Sequence, residues 1–309
     1  MTGLRRDTVT FGERLRHIDR PEVHEVLRGL RGVLDEYGDY VAVGEVGIWD
    51  LPRMLAYYGS GDELHMAFNF PFWEQPWSAA GFRSTVDAVE AALPTHAWPA
   101  YALSNHDLSR AATRYDPGGD RPECARLAAM MTLTLRGTPF LYYGEEIGMT
   151  DVDVPKAQRH DPGGRDPERT PMQWTSGPQA GFSRGVPWLP VPDSARTLNV
   201  ENQRADSASL LSFYRALIRL RRTYPTLHAG SYLPLDGGPE GLYAFERRHG
   251  SERLLVGLNF ADGPAGLNQL PLPPEGVVAL STNPDRPEGP ADIDKLWLTS
   301  CEGILVRLS

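Results

Sequence analysis

Cysteine is scarce in this chain: Cys124 and Cys301 are the only two in 309 residues. They lie far apart and form neither a Cys-x-x-Cys pair nor a Cys/His metal spacing, which argues against a disulfide framework or a zinc site. Both are expected as small buried hydrophobes, and no metal or cofactor site is legible elsewhere. No segment approaches the roughly 20 apolar residues that a membrane span requires. The N-terminal run MTGLRRDTVTFGERLRH has no apolar core of signal-peptide length. A soluble, cytoplasmic protein with no membrane partner is expected. Excess positive charge is missing too. Lys+Arg 31 against Asp+Glu 40 gives a formal net charge of -9. No basic run is interleaved with aromatics, so nucleic acid lacks its electrostatic footprint, and a neutral polar ligand fits better.

The chain has 41% hydrophobic and 23% charged residues, ordinary for a globular protein and too apolar for a disordered one. Its length suits one large domain or two smaller ones. Glycine (31) and proline (27) are plentiful, about 19% together against a usual share near 12%, so loops must be numerous or long.

Along the chain, apolar residues at Val23, Val26, Leu27, Leu30, Val33, Leu34 and Tyr37 follow steps of three and four behind Pro21, which predicts an amphipathic helix. The run Tyr40 to Gly44 stops at Glu45 and reads as a strand buried on both faces. The alternation continues with strands at His65 to Phe70, Ala97 to Leu103 and Pro139 to Tyr143, and helices at Phe82 to Leu93 and Pro122 to Leu135. A long polar loop from Gly144 to Asn202 leads to a helix at Ser207 to Arg222. Strands separated by helices imply a parallel sheet. Beyond Pro225, strand candidates at Leu242 to Arg248, Arg253 to Phe260, Val277 to Ser281 and Ile304 to Leu308 have no helices between them. The expected organisation is an α/β domain over 1–225 and a small all-β domain over 226–309.

Two carboxylates end buried strands. Glu45 closes Val41-Ala42-Val43-Gly44-Glu45, and Asp107 follows Leu103-Ser104-Asn105-His106. C-terminal strand ends are where parallel α/β folds build ligand sites, so both acids are candidates for one site. One carboxyl could give or take a proton while the other stabilises developing positive charge. The alternative is that they cap a helix or pair with an arginine. His106, taken alone, reads as a structural histidine, and only its neighbours tip it towards function. Trp73, Trp77, Trp98, Trp174 and Trp188 read mostly as core, with stacking on a ligand face the alternative. Arg165, Asp166, Glu168 and Arg169 read as a solvated charge cluster with a ligand role open to Arg169. Glu145 and Glu146 read as loop anchors.

Gly44-Glu45, Phe68-Asn69-Phe70, Ser104-Asn105-His106-Asp107, Thr138-Pro139-Phe140-Leu141-Tyr142-Tyr143-Gly144-Glu145-Glu146-Ile147-Gly148-Met149 and Arg165-Asp166-Pro167-Glu168-Arg169-Thr170-Pro171-Met172-Gln173-Trp174 together resemble the α-amylase family of glycoside hydrolases. The likeness is greatest to its α-glucosidase, oligo-1,6-glucosidase and trehalose synthase branch. It implies a (β/α)8 TIM barrel followed by a C-terminal β-sandwich, and retaining chemistry at an α-glucosidic bond of a short oligosaccharide or disaccharide. Glu45 then matches the general acid/base. Asp107 matches the third carboxylate, which bonds ring hydroxyls and favours the oxocarbenium-like transition state. His106 and Asn105 belong to the substrate-binding set, and Arg169 resembles the arginine that helps hold the terminal glucose.

The resemblance also implies a nucleophilic aspartate in a Gly-Phe-Arg-x-Asp-like segment, about 5 to 5.5 Å from the acid/base, and the sequence contains none. Asp19, in Arg16-His17-Ile18-Asp19, has the wrong arginine spacing and reads as helix punctuation before Pro21. The four α/β strands look like strands 5 to 8, the C-terminal half of a barrel. Two open sheet edges would follow, with self-association or a complementing N-terminal half-barrel chain as partner, and little activity alone. A non-catalytic relative serving binding or assembly, and a trehalose synthase-type isomerase, are the alternative readings.

Overall fold

The computed structural model describes residues 19–119 and 121–309. The leader reading of residues 1–17 and the Arg16-His17-Ile18 part of the Asp19 segment lie outside these. Two compact units are present: one runs to Phe70 and adds Ala91–Ala100, the other comprises Pro71–Glu90 and Tyr101–Ser309.

In the first unit, α1 (Glu22–Tyr37) starts where expected. Pro21 already has helical φ/ψ, Glu22 and Glu25 occupy the first turn, and Gly38 at φ 116 ends the helix in a conformation closed to most side chains. Val23 and Leu27 pack on a cluster of Met54, Leu55, Tyr57, Tyr58 and Leu64. Yet no residue of α1 is buried, and Val26, Leu30, Val33 and Tyr37 stand exposed. Glu63, itself buried, accepts from Arg28 at 2.7 Å and lies 2.8 Å from His24 Nδ1. Asp19 accepts from the Tyr57 hydroxyl at 3.0 Å and pairs with Arg53. Burial, then the Asp19 bond, pushes Tyr57 up to about 12. Asp19 is therefore a latch between the start of α1 and the helix α2 (Leu51–Leu55) that carries Arg53.

The strand expected at Tyr40 to Gly44, buried on both faces, is corrected here. Only β1 (Val43–Gly44) pairs, in parallel with β2 (Met66–Ala67), while Tyr40 and Val41 are both 58% exposed. Phe68 forms one further parallel bridge with Ala100. A β-branched apolar run needs a neighbour on each side to become a buried strand, and the described residues supply β1 with one.

Helix α3 (Ala79–Ala92) begins in the second unit, and β3 (Ala100–Ala102), whose three residues are buried, returns to it at Tyr101. Short helix α4 (Ala111–Tyr115) and α5 (Glu123–Thr134) follow, then β4 (Thr138–Phe140), which forms a two-stranded sheet with β3. The stretch expected as one polar loop holds several 3-10 turns and a short helix, α6 (Val200–Ala205). The next helix, α7 (Leu210–Thr223), begins three residues later than Ser207 because the Ser209 hydroxyl caps it, accepting from Ser212 N. The cysteine expectation is also corrected: Cys124 on α5 and Cys301 form a disulfide with Cα atoms 5.1 Å apart. Their separation of 177 residues gave no spacing signal, because only folding brings the two together.

The C-terminal sheet carries more strands than alternation revealed. Six antiparallel strands run in the order β10-β9-β12-β7-β6-β5, built from β5 (Ser231–Pro234), β6 (Leu242–His249), β7 (Glu252–Asn259), β9 (Glu275–Ser281), β10 (Gly289–Asp292) and β12 (Gly303–Leu308). Strands β8 (Ala265–Gly266) and β11 (Trp297–Leu298) make a separate two-stranded sheet. This region thus holds one six-stranded sheet and one two-stranded sheet. Leu242, Leu255, Leu267, Val278, Leu298 and Ile304 share one buried core. Between β6 and β7, His249 pairs with Glu252, leaving a two-residue turn that begins with Gly250 at φ 59, the backbone such a hairpin demands.

Candidate active site

Within the second unit, β3 delivers the loop that carries three of the sequence candidates. Leu103 and Ser104 remain buried, and Ser104 Oγ accepts from Ala111 N at 2.8 Å, which closes the loop onto α4. Asn105 Oδ1 accepts from Asp107 N at 2.9 Å, a side-chain-to-backbone turn that sets the loop's shape. Asn105 thereby aims the next two residues, the task the structure gives it directly.

Asp107 Oδ1 is the meeting point. Arg165 donates to it at 2.8 Å, Arg169 at 2.7 Å, and His106 Nε2 lies 3.4 Å away. The Arg169 Nε also bonds the His106 carbonyl at 2.6 Å. The arginine-pairing alternative for Asp107 is therefore realised in this fold. Its other oxygen, Oδ2, accepts no hydrogen bond from the described residues, and the side chains of Asp107 and His106 are 38% and 58% exposed. A carboxylate held through one oxygen and open at the other can accept from a ligand hydroxyl without first being reoriented.

Behind this trio stands Asp161, which sequence reasoning missed. It accepts Arg165 Nε at 2.9 Å, its terminal nitrogen at 2.7 Å and its backbone N at 2.9 Å, and lies 3.7 Å from Arg169. The Arg165 side chain, then its backbone, holds the Asp161 carboxyl well below the usual carboxylate range. The same bond raises the Arg165 guanidinium. Arg165 was visible only as part of a charge cluster. Steps of four residues from Asp161 to Arg165 to Arg169 were the available signal.

The surrounding loop is tied down by further contacts. Asp151 accepts Arg110 N at 2.9 Å and the Ser109 hydroxyl at 2.5 Å. Arg110, fully buried, donates to the Tyr143 carbonyl at 2.6 Å and stacks on Tyr142 and Tyr143. Glu168 is buried one residue before Arg169, and burial pushes its carboxyl up to about 7. Glu145 is likewise pushed up to about 7, with burial as the main cause. A cavity of about 340 Å³ opens beside Arg169, lined by Tyr143, Met172, Trp174, Phe182 and Trp188. Trp174 and Trp188 are exposed, whereas Trp73 is core.

Glu45 belongs to the first unit, directly after β1, and is exposed. The Gly44 carbonyl ahead of it accepts Phe68 N at 3.0 Å. A methyl group on Gly44 would fall 2.3 Å from a Leu64 methyl carbon, so a side chain before Glu45 would force Leu64 to move. No side-chain hydrogen bond or ion pair of Glu45 occurs among the described residues. No cluster of three or more His, Cys, Asp or Glu side chains suited to a metal ion occurs among them either, nor any helix long and apolar enough to cross a membrane.

Residues 2–230 match the alpha-amylase family, described as alpha amylase, catalytic domain. An oligo-1,6-glucosidase of Parageobacillus thermoglucosidasius is 33% identical over 288 residues, covering 80% of this chain and 51% of that enzyme. A probable alpha-glucosidase of Rhizobium meliloti is 34% identical over 284 residues, covering 85% of this chain and 49% of that protein. The chain spans about half the length of the curated relatives it matches. Among solved structures, a trehalulose synthase superposes with a TM-score of 0.84 at 28% identity, covering 97% of this chain and 62% of that one. Sequence motifs in their expected order, a strand-end loop centred on Asp107 and a match over most of the chain lead to one assignment: this chain belongs to the alpha-amylase family.

Proposed function

We propose that this chain carries part of a retaining α-glucosidase site, acting on α-glucosidic bonds of short malto- or isomalto-oligosaccharides or disaccharides. Glu45 is the general acid/base: it protonates the glycosidic oxygen as the bond to the anomeric carbon breaks, then takes a proton from the incoming water or sugar hydroxyl. Asp107, held by Arg165 and Arg169, accepts hydrogen bonds from ring hydroxyls and stabilises the positive charge that develops at the anomeric centre. His106 and Arg169 hold the terminal glucose, and Asn105 orients both His106 and Asp107. The observation that carries the reading is the convergence of Arg165, Arg169 and His106 on one oxygen of Asp107.

The nucleophile that would form the glycosyl intermediate lies in no segment of this sequence, so the proposed barrel half needs a complement. Exposed large hydrophobics support this. Val26, Leu30, Val33, Tyr37, Tyr40 and Val41 group before β1, and Leu141, Tyr143, Trp174, Phe182, Val186 and Trp188 group after β4. These are the positions flanking the first and last strands of the proposed half. Exposed apolar surface of that extent marks an interface.

The test is turnover of an aryl α-glucoside by the purified chain, alone and mixed with an N-terminal half-barrel taken from a relative. Little or no turnover alone, and turnover on mixing that E45Q and D107N each abolish, is expected. Robust turnover by the chain alone would refute the need for a complement, and complemented turnover insensitive to E45Q would refute the role of Glu45. A glucosyl isomerase is the second reading, favoured by the likeness to the trehalulose synthase. Product analysis with sucrose separates rearranged disaccharide from free glucose and fructose.

A further inference from the structure

Helix α1 carries an apolar row that the described residues leave in solvent. Val26, Leu30, Val33 and Tyr37 follow one another at steps of four, three and four, which puts them on a single stripe of the helix. They are between 48% and 74% exposed. Val23 and Leu27, on the adjoining side, already pack on the core of the first unit. Tyr40 and Val41, just before β1, are exposed as well. A helix whose apolar surface is wider than its own core covers has a face left for a partner.

The charge beside that stripe narrows what the partner can be. Glu22, Glu25, Gly29, Gly32 and Glu36 recur at steps of three and four, so they form the next row, on the side away from Val23 and Leu27. All five are exposed. Glu22 has only Arg20, at 3.7 Å, and no ion pair or side-chain hydrogen bond of Glu25 or Glu36 occurs among the described residues. The arginines of α1 lie across the helix and are engaged, Arg28 with Glu63 at 2.7 Å and Arg31 with Asp35 at 2.8 Å. A Cβ on Gly29 or Gly32 would meet nothing within 4 Å. Glycine weakens a helix interior, and two on this row leave an open trough between its acidic ends. A second copy laid antiparallel would set Glu22 and Glu25 against Glu36, and an anionic lipid surface meets the same repulsion.

We propose that α1 docks a basic amphipathic helix of the complementing chain. Its apolar residues cover Val26, Leu30, Val33 and Tyr37, while its lysine or arginine side chains reach across Gly29 and Gly32 to Glu22, Glu25 and Glu36. The apolar stripe supplies the affinity and the acidic row selects the partner by the sign of its flanking charge. The inference rests on the complement reading only for which chain supplies the helix.

Fluorescence anisotropy of three labelled peptides of about 20 residues tests this on the full chain at about 0.15 M salt. The first has leucine at heptad positions a and d and lysine at e and g, the second has glutamate in place of lysine, and the third is a scramble of the first. Saturable binding of the lysine peptide is expected, at least tenfold tighter than the glutamate peptide, with no saturation by the scramble. V33D should lose at least tenfold in affinity for the lysine peptide, and E25K/E36K should reverse the order of the two helical peptides. Equal binding of those two, an order unchanged by E25K/E36K, binding indifferent to V33D, or no saturable binding would each overturn the proposal. So would a dimer of the chain alone, seen by sedimentation, that V33D dissociates, since a second copy would then be the occupant. Should V33D fail to unfold cooperatively, the charge reversal decides it. The measurement needs no turnover, so peptide binding and complemented activity can fail separately.

Discussion

The strands of the C-terminal sheet and the strands of the α/β part were read from the same kind of apolar run, yet they came out differently. Strands β6 and β7 are each eight residues long, pair along their whole length and hold Phe245, Leu254, Leu255 and Val256 at no exposure. Strand β1 has two residues, and the valine and tyrosine before it face solvent. Inside the sheet, β7 has β6 on one side and β12 on the other, so Leu254 to Leu258 are paired along both edges. A run supplied with one neighbour stops pairing early. Strand length is thus a property of the surroundings as much as of the run.

The comparison can be sharpened first at Arg247 on β6. Fully buried, it donates to the carbonyls of Thr134, Leu227, Gly230 and Ser231 at 2.5 to 3.1 Å, so R247M leaves four acceptors dry. A loss of about 3 to 5 kcal/mol is expected from urea unfolding. A loss below about 1 kcal/mol would mean that water replaces the guanidinium. Next comes a matched leucine pair. L255A in the sheet should cost about 2 to 4 kcal/mol, whereas L30A on α1, where Leu30 is 48% exposed, should stay within about 0.5 kcal/mol. L30D should leave the isolated chain folded and still prevent complementation. A large cost for L30A would show that α1 is already covered in solution.

Removing the disulfide by C301S should cost about 2 to 4 kcal/mol, since the bond closes a loop of 177 residues. An unchanged midpoint under oxidising conditions would mean that the thiols do not pair in solution. The smallest effect concerns pH. Burial, then the Asp151 charge, raises the Glu168 carboxyl from its ordinary 4.5 to about 7. Its contribution is fully present below 4.5 and lost as pH rises through 7, because the folded chain must then hold a charge that the unfolded chain solvates freely. Stability should therefore fall less between pH 5 and pH 8 in E168Q than in the parent. An equal fall in both would show that Glu168 titrates normally.

Much of the architecture was legible because its signals are local. The three- and four-residue spacing of α1, the helix over Glu123–Thr134 and the two strands flanking Gly250 each need only neighbouring residues to declare themselves. At the site, the Asn105-His106-Asp107 run and the Glu145-Glu146 pair were visible as strand-end groups. Arg165 and Asp161 were not, because their meaning depends on a loop folding back some 60 residues to reach Asp107.

Periodicity, punctuation and motif order were enough to determine the element types, the family and the candidate acids, since each is written in residues close along the chain. Folding alone decided that Cys124 reaches Cys301, that two guanidinium groups share one oxygen of Asp107, and that the Glu145 carboxyl meets the Tyr214 hydroxyl. Those outcomes depend on which distant side chains exclude water from one another, a quantity no single stretch of sequence contains.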